Sequence, residues 1–189
     1  MTRHTRFSED LPVPADDGAC VHLDGAAIPA VALPGTHGET IDLSALSGLT
    51  VIYCYPRIGD PNTPAAPGWA DIPGAKGCTP QACDFRDHHD ELTVLGASVF
   101  GVSAQPLDEQ KAAVERLGLT FPLLHDSDLA LANALTLPTF EFNGTHLIKR
   151  LTLIAVGGVI QKVFYPVFPP DQHAEAVVAW VRDQRIEDG

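Results

Sequence analysis

The sequence predicts an α/β domain, a mixed β-sheet with helices on both faces. Three observations lead there. Stretches of β-branched and aromatic residues alternate with stretches whose apolar residues recur at spacings of three and four. Each of the first three strand segments is followed by a helical segment, the connection that parallel strands need. The last two strand segments flank Gly157-Gly158, a hairpin signal that makes this part of the sheet antiparallel, and a final helix closes the chain.

Composition narrows the class. The 189 residues suit one domain, or one domain with a substantial insertion, and 45% apolar content is enough for an ordinary core. A net charge of −12 repels phosphate backbones and anionic lipid, so no nucleic-acid partner is expected. No stretch approaches eighteen unbroken apolar residues, so no membrane span is expected either. Residues 1–18 lack the apolar run of a secretory signal, which points to a cytoplasmic protein. Four cysteines (Cys20, Cys54, Cys78 and Cys83) are too few and too unevenly spaced for a disulfide scaffold. In a reducing compartment a close pair is catalytic or metal-binding more often than structural.

Taken in order, residues 1–25 read as a polar leader in which Cys20 is an exposed, incidental thiol. Residues 26–48 read as short strands and turns, with Pro34-Gly35 and Gly38 as turn signals. Residues 50–55 (TVIYCY) form a buried strand ending at Pro56, with Cys54 a small buried hydrophobe inside it. Residues 57–76 carry four prolines and three glycines, a loop long enough to be functional. A helix fits 80–95, closed by Gly96, with Ala82, Phe85, His89, Leu92 and Leu95 on one face. A strand follows at 97–103, a helix at 108–117 with Gly118 past its end, a short strand at 121–124 and a helix at 127–135. Asp126 or Ser127 caps that last helix. Asn143-Gly144 turns a hairpin after Phe140-Glu141-Phe142, and the sequon that it forms with Thr145 is read simply as that turn. Strands at 147–156 and 159–164 precede a helix over 170–185.

Cys78 lies just before Thr79-Pro80, a cap residue followed by a residue preorganised for a helix start, so it sits at a helix N-terminus. Free backbone N–H groups and the positive end of the dipole favour a thiolate there, and Gly77 lets a small substrate approach the backbone. Cys83 lies about 160° from the centre of the apolar stripe, on the side of Asp87 and Asp90. If both cysteines belong to one helix, their α-carbons stand roughly 8.6 Å apart, beyond disulfide reach, so bonding them requires the first turn to unwind. Metal binding is the rival for this stretch, because Cys78, Cys83, His88 and His89 offer four N/S ligands. A structural zinc site, however, uses tighter pairs in loops that wrap the ion.

The run Gly77-Cys78-Thr79-Pro80-Gln81-Ala82-Cys83, continued by Asp84-Phe85-Arg86-Asp87, resembles the active-site stretch of the Q-type peroxiredoxins, the bacterioferritin-comigratory-protein group. Tyr53-Cys54-Tyr55-Pro56 resembles the strand end that precedes it, and Arg150-Leu151-Thr152-Leu153-Ile154 resembles the family's arginine-bearing strand. The resemblance runs from about residue 28 to the last helix. It implies a thioredoxin fold with an N-terminal β-extension, occupying 26–189 with 57–76 as an insertion. It implies a peroxidatic Cys78, a resolving Cys83, and Arg150 beside the thiolate and the peroxide. It further implies a thiol-dependent peroxidase acting on hydrogen peroxide and organic hydroperoxides. Such an enzyme is recycled by thioredoxin or a similar dithiol protein, needs no cofactor or metal, and is a monomer or weak homodimer. A redox sensor with little turnover and a zinc-binding module are the competing classes. Two departures stand out. Ala75 occupies the position of the family's hydroxyl-bearing threonine, leaving Thr79 or Thr63 as substitutes, and about fifteen extra residues separate Pro56 from Cys78.

Overall fold

A computed structural model describes residues 10–187, so the first nine residues of the expected polar leader lie outside it. A small antiparallel hairpin comes first, β1 (Ala32–Pro34) and β2 (Thr40–Asp42), with Leu33 opposite Ile41. It is the N-terminal β-extension. β3 (Leu49–Cys54) is the centre of a five-stranded sheet. After β3 come α1 (Cys78–Asp87), α2 (His89–Val94), β4 (Ala97–Ser103), α3 (Leu107–Leu117) and β5 (Leu123–His125). Then follow α4 (Ala130–Ala134), the hairpin of β6 (Thr139–Phe142) and β7 (Thr145–Ile148), the pair β8 (Leu151–Val156) and β9 (Val159–Phe164), and α5 (His173–Glu187).

The sheet order is β5-β4-β3-β8-β9. The β3–β4 and β4–β5 pairs are parallel, while β8 and β9 add antiparallel to the other side of β3, as the crossovers and the Gly157-Gly158 turn require. This is the mixed α/β arrangement expected. β3 reads as a continuous apolar run because both of its faces are covered. Val51 and Tyr53 face a core built with Phe85 of α1, Leu92 of α2, Ala113 of α3 and Val177 of α5. Ile52 and Cys54 face a second core with Leu23, Leu33, Leu131 and Ile148.

Several expectations change. Cys20 is not exposed: it is 6% exposed and packs in the second core near Leu23. Burial, reinforced by the charges of Asp17 and Asp16, pushes its thiol up to about 11. The helix expected over 80–95 starts two residues earlier and is broken at His88. Gly77, at φ 112°, caps its start in a conformation that Thr79 would adopt only under strain. The His88 ring donates to the Asp84 carbonyl that its own backbone N–H uses, and this competition disturbs the helix ladder. The helix expected over 127–135 shrinks to α4, because the buried Asp126 carboxylate reaches past the turn to the N–H groups of Leu131 and Ala132. The single strand expected over 147–156 is two. β7 pairs with β6 in its own hairpin, and the chain enters the main sheet only after Lys149 and Arg150. Among the described residues no helix is long and apolar enough to cross a membrane.

Candidate active site

The site forms where β3 ends. Parallel strands gather ligands at their carboxyl ends, and here the chain leaves β3 through 57–76 and returns to open α1 with Cys78. Cys78 is 4% exposed, and its Sγ lies 3.7 Å from the Ala75 carbonyl oxygen. Arg150 precedes β8, whose first residue, Leu151, pairs with Cys54 at the same end of β3. Its side chain turns inward and is itself 4% exposed.

Burying a guanidinium is costly unless its donors are met, and here the two terminal nitrogens are met while Nε has no partner among the described residues. Arg150 Nη2 lies 3.2 Å from Cys78 Sγ, 3.2 Å from the Gly74 carbonyl, and 3.3 Å from each of the Ala75 and Lys76 carbonyls. Nη1 donates to Gln81 Oε1 in a short hydrogen bond. The last residues of the insertion therefore wrap the cation that touches the thiol.

A ring of buried groups supports this pair. Tyr53 stacks on Phe85 with ring centres 4.5 Å apart, and burial, followed by the Cys78 sulfur, holds its phenol well above the ordinary range. His173 meets Phe85 and Phe164 edge-on and shares a 2.8 Å hydrogen bond with the Thr152 hydroxyl. Burial first, and the Arg150 charge second, lower its imidazole to about 4, so it is neutral at pH 7.

The Redoxin family profile matches residues 23–178. The chloroplastic Peroxiredoxin Q of Populus jackii is 30% identical over 80% of this chain, which spans 64% of that relative's length. Peroxiredoxin Bcp of Escherichia coli is 30% identical over 84% of this chain and 95% of its own. The crystal structure of the peroxidoxin BcpB from Mycobacterium tuberculosis superposes with a TM-score of 0.69 at 26% identity, covering 85% of this chain and 96% of that one. The chain belongs to the redoxin family, among its peroxiredoxins. The thioredoxin fold and the membership that the 77–87 run suggested are thereby shown.

In this peroxiredoxin all four cysteines are free. Cys83 shares α1 with Cys78 and is half-buried, and burial, with Asp87 adding to it and Arg86 opposing it, raises its thiol. The side shared with Asp87 is the one its spacing gave. His88 and His89 are engaged elsewhere, His88 with Asp84 and His89 Nδ1 with the Thr120 hydroxyl at 2.6 Å. Ala75 is fully buried, and Thr63, in the exposed insertion, donates to Asp60 at 3.5 Å.

Sequence reasoning passed over Gln81, Thr152 and His173. Gln81 was open to it: a polar residue three after Cys78 and beside the apolar stripe is a misfit that burial has to explain. His173 carried no such sign, because its partners come from β8, β9 and α1 and meet only in the fold.

Proposed function

We propose that this peroxiredoxin reduces hydrogen peroxide and organic hydroperoxides through Cys78, with Cys83 as the resolving thiol and thioredoxin or a similar dithiol protein as reductant. The observation that carries the reading is the Arg150 guanidinium on the Cys78 sulfur, both of them buried. The thiolate is the nucleophile, and a guanidinium at that distance is placed to meet its charge. The sulfur attacks the terminal oxygen of ROOH, an S–O bond forms, and the O–O bond breaks. The sulfur becomes a sulfenic acid and RO⁻ takes up a proton to leave as ROH. Arg150 stabilises negative charge as it passes from sulfur to oxygen. The Cys83 thiolate then attacks the sulfenic sulfur, hydroxide leaves as water on protonation, and a disulfide remains. A partner dithiol reduces that disulfide by exchange.

Both cysteines sit in α1 and are unbonded, so resolution requires the first turn of that helix to open. The carbonyls of Gly74, Ala75 and Lys76, which Arg150 holds, lie directly before that turn.

The test is peroxide consumption with excess thioredoxin and its reductase, with Cys78→Ser and Cys83→Ser beside the native chain. The expected result is many turnovers for the native protein, none for Cys78→Ser, and a single oxidation for Cys83→Ser with a mass gain of one oxygen. A native protein that oxidises once and stops would overturn the peroxidase reading in favour of a redox sensor.

A further inference from the structure

The buried donors around Cys78 are unequally used. Arg150 Nη2 serves the sulfur and three carbonyls and Nη1 serves Gln81, while Arg150 Nε is buried without a partner among the described residues. A guanidinium only donates, so the Gln81 atom that meets it is the amide oxygen, and this fixes which corner of the amide is Nε2. That nitrogen is buried and has no hydrogen-bond partner among the described residues, although Gln81 is 0% exposed. A buried N–H without an acceptor needs an explanation, and a ligand that brings the acceptor is one. Gln81 follows Cys78 by three residues in α1, so the two side chains leave neighbouring positions of one helix face. Both also contact the same guanidinium.

We propose that Gln81 is a catalytic residue whose Nε2–H donates to the peroxide oxygen that departs when Cys78 attacks. This rests on the peroxidase reading above. As the S–O bond forms and the O–O bond breaks, the electron pair of that bond collects on the leaving oxygen. A donor that meets that oxygen acts on the transition state more strongly than on the bound peroxide. Position 75 offers only a methyl group and Thr63 is turned to Asp60, so of the hydroxyls the sequence offered only that of Thr79 remains beside Gln81. The Gln81 amide oxygen is held by Arg150, which leaves Nε2 as the free end of the amide.

The experiment is stopped-flow oxidation of the reduced full chain by hydrogen peroxide across pH, for the native protein, Gln81→Glu and Cys78→Ser. Glutamate keeps an oxygen for Arg150 Nη1 and removes both amide N–H donors. The quantity read is the rate constant on the high-pH plateau. A plateau lowered roughly 10-fold or more in Gln81→Glu is expected for a lost oxyanion donor. A plateau within about 3-fold of native, with only the pH midpoint moved, would mean that Gln81 merely positions Arg150, and the inference would fall. A second reading does not depend on the folding of Gln81→Glu. In ¹⁵N-glutamine-labelled Cys78→Ser protein, the Gln81 side-chain amide resonance, assigned by its loss in Gln81→Met, should shift on titration with hydrogen peroxide. An unmoved resonance overturns the proposal. A native chain that reacts no faster than Cys78→Ser overturns the peroxidase reading and this inference together. A fast native chain with an unchanged Gln81→Glu overturns this inference alone.

Discussion

Arg150 Nη2 stands 3.2 Å from Cys78 Sγ while the same nitrogen meets the carbonyls of Gly74, Ala75 and Lys76. One group thus joins the thiol, the end of the insertion and, through Nη1, Gln81. The sequence alone suggests that Arg150→Ala slows the peroxide reaction and leaves the fold intact. The burial of this side chain changes the second half of that expectation. Removing it strands several acceptors, each costing about 1–3 kcal/mol where water does not replace the donor. Arg150→Ala should therefore react at least about 100-fold more slowly and also lose at least about 2 kcal/mol of stability. Peroxide kinetics and urea unfolding measure the two. A variant with native kinetics would refute the role of Arg150, and an unchanged urea midpoint would refute the structural half.

His173 makes stability depend on pH in a defined window. Its imidazole accepts a proton at about 4 in the folded chain, against an ordinary value of 6.5. Between those values the unfolded chain binds more protons, so stability is full above 6.5, declines as pH falls, and levels off below 4. The group's contribution to that decline is about 3 kcal/mol. In His173→Gln this part of the slope should vanish, and urea midpoints at pH 7, 5.5 and 4.5 would show it. Parallel slopes for the two proteins would contradict the burial of a neutral His173.

Much of the fold was legible because the strands are either buried on both faces or bounded by strong turns. The run 50–55 has no alternation because helices and the N-terminal segment cover both sides of β3. Asn143-Gly144 turned its hairpin as read, both residues at positive φ. Cys78, its helix start and its partner Arg150 were legible from the 77–87 run and from 150–154. Three things were not. Cys20 sits among acidic residues, yet Leu23 draws it into the core, and local polarity carries no trace of that tertiary packing. The break at His88 depends on one side chain competing for a carbonyl. The cradle around Arg150 is made of backbone oxygens, which every sequence contains and none advertises.

Asp126 separates a structural carboxylate from a catalytic one. It is 1% exposed and accepts from Leu131 N at 3.1 Å and Ala132 N at 2.9 Å. Its work is to close the start of α4, so Asp126→Ala should cost about 1–2 kcal/mol, the upper range for a lost cap. The peroxide rate per folded molecule should remain within about 2-fold of native, since α4 belongs to the core face away from Cys78. Thermal unfolding read beside stopped-flow kinetics tests this, and a 10-fold loss of rate in folded protein would refute a purely structural role for Asp126.

The insertion is held at three places, and these holds should fail separately. At its start the buried Gln105 side chain brackets Ile58, accepting from its N–H at 2.9 Å and donating to its carbonyl at 2.8 Å. In the middle Trp69 packs on the β6–β7 hairpin, 5.1 Å from the Phe142 ring and 6.1 Å from Phe140. At its end Gly74, Ala75 and Lys76 hold Arg150. Removing the indole frees only the middle, because the polar contacts at either end do not involve it. Trp69→Ala should therefore be cut by a non-specific protease within 59–73 several times faster than native, while its peroxide rate constant stays within about 3-fold, given the near-independence of distant sites. A rate that collapsed with the proteolytic protection would mean that the Trp69 contact, rather than the Arg150 cradle, keeps the thiol in order.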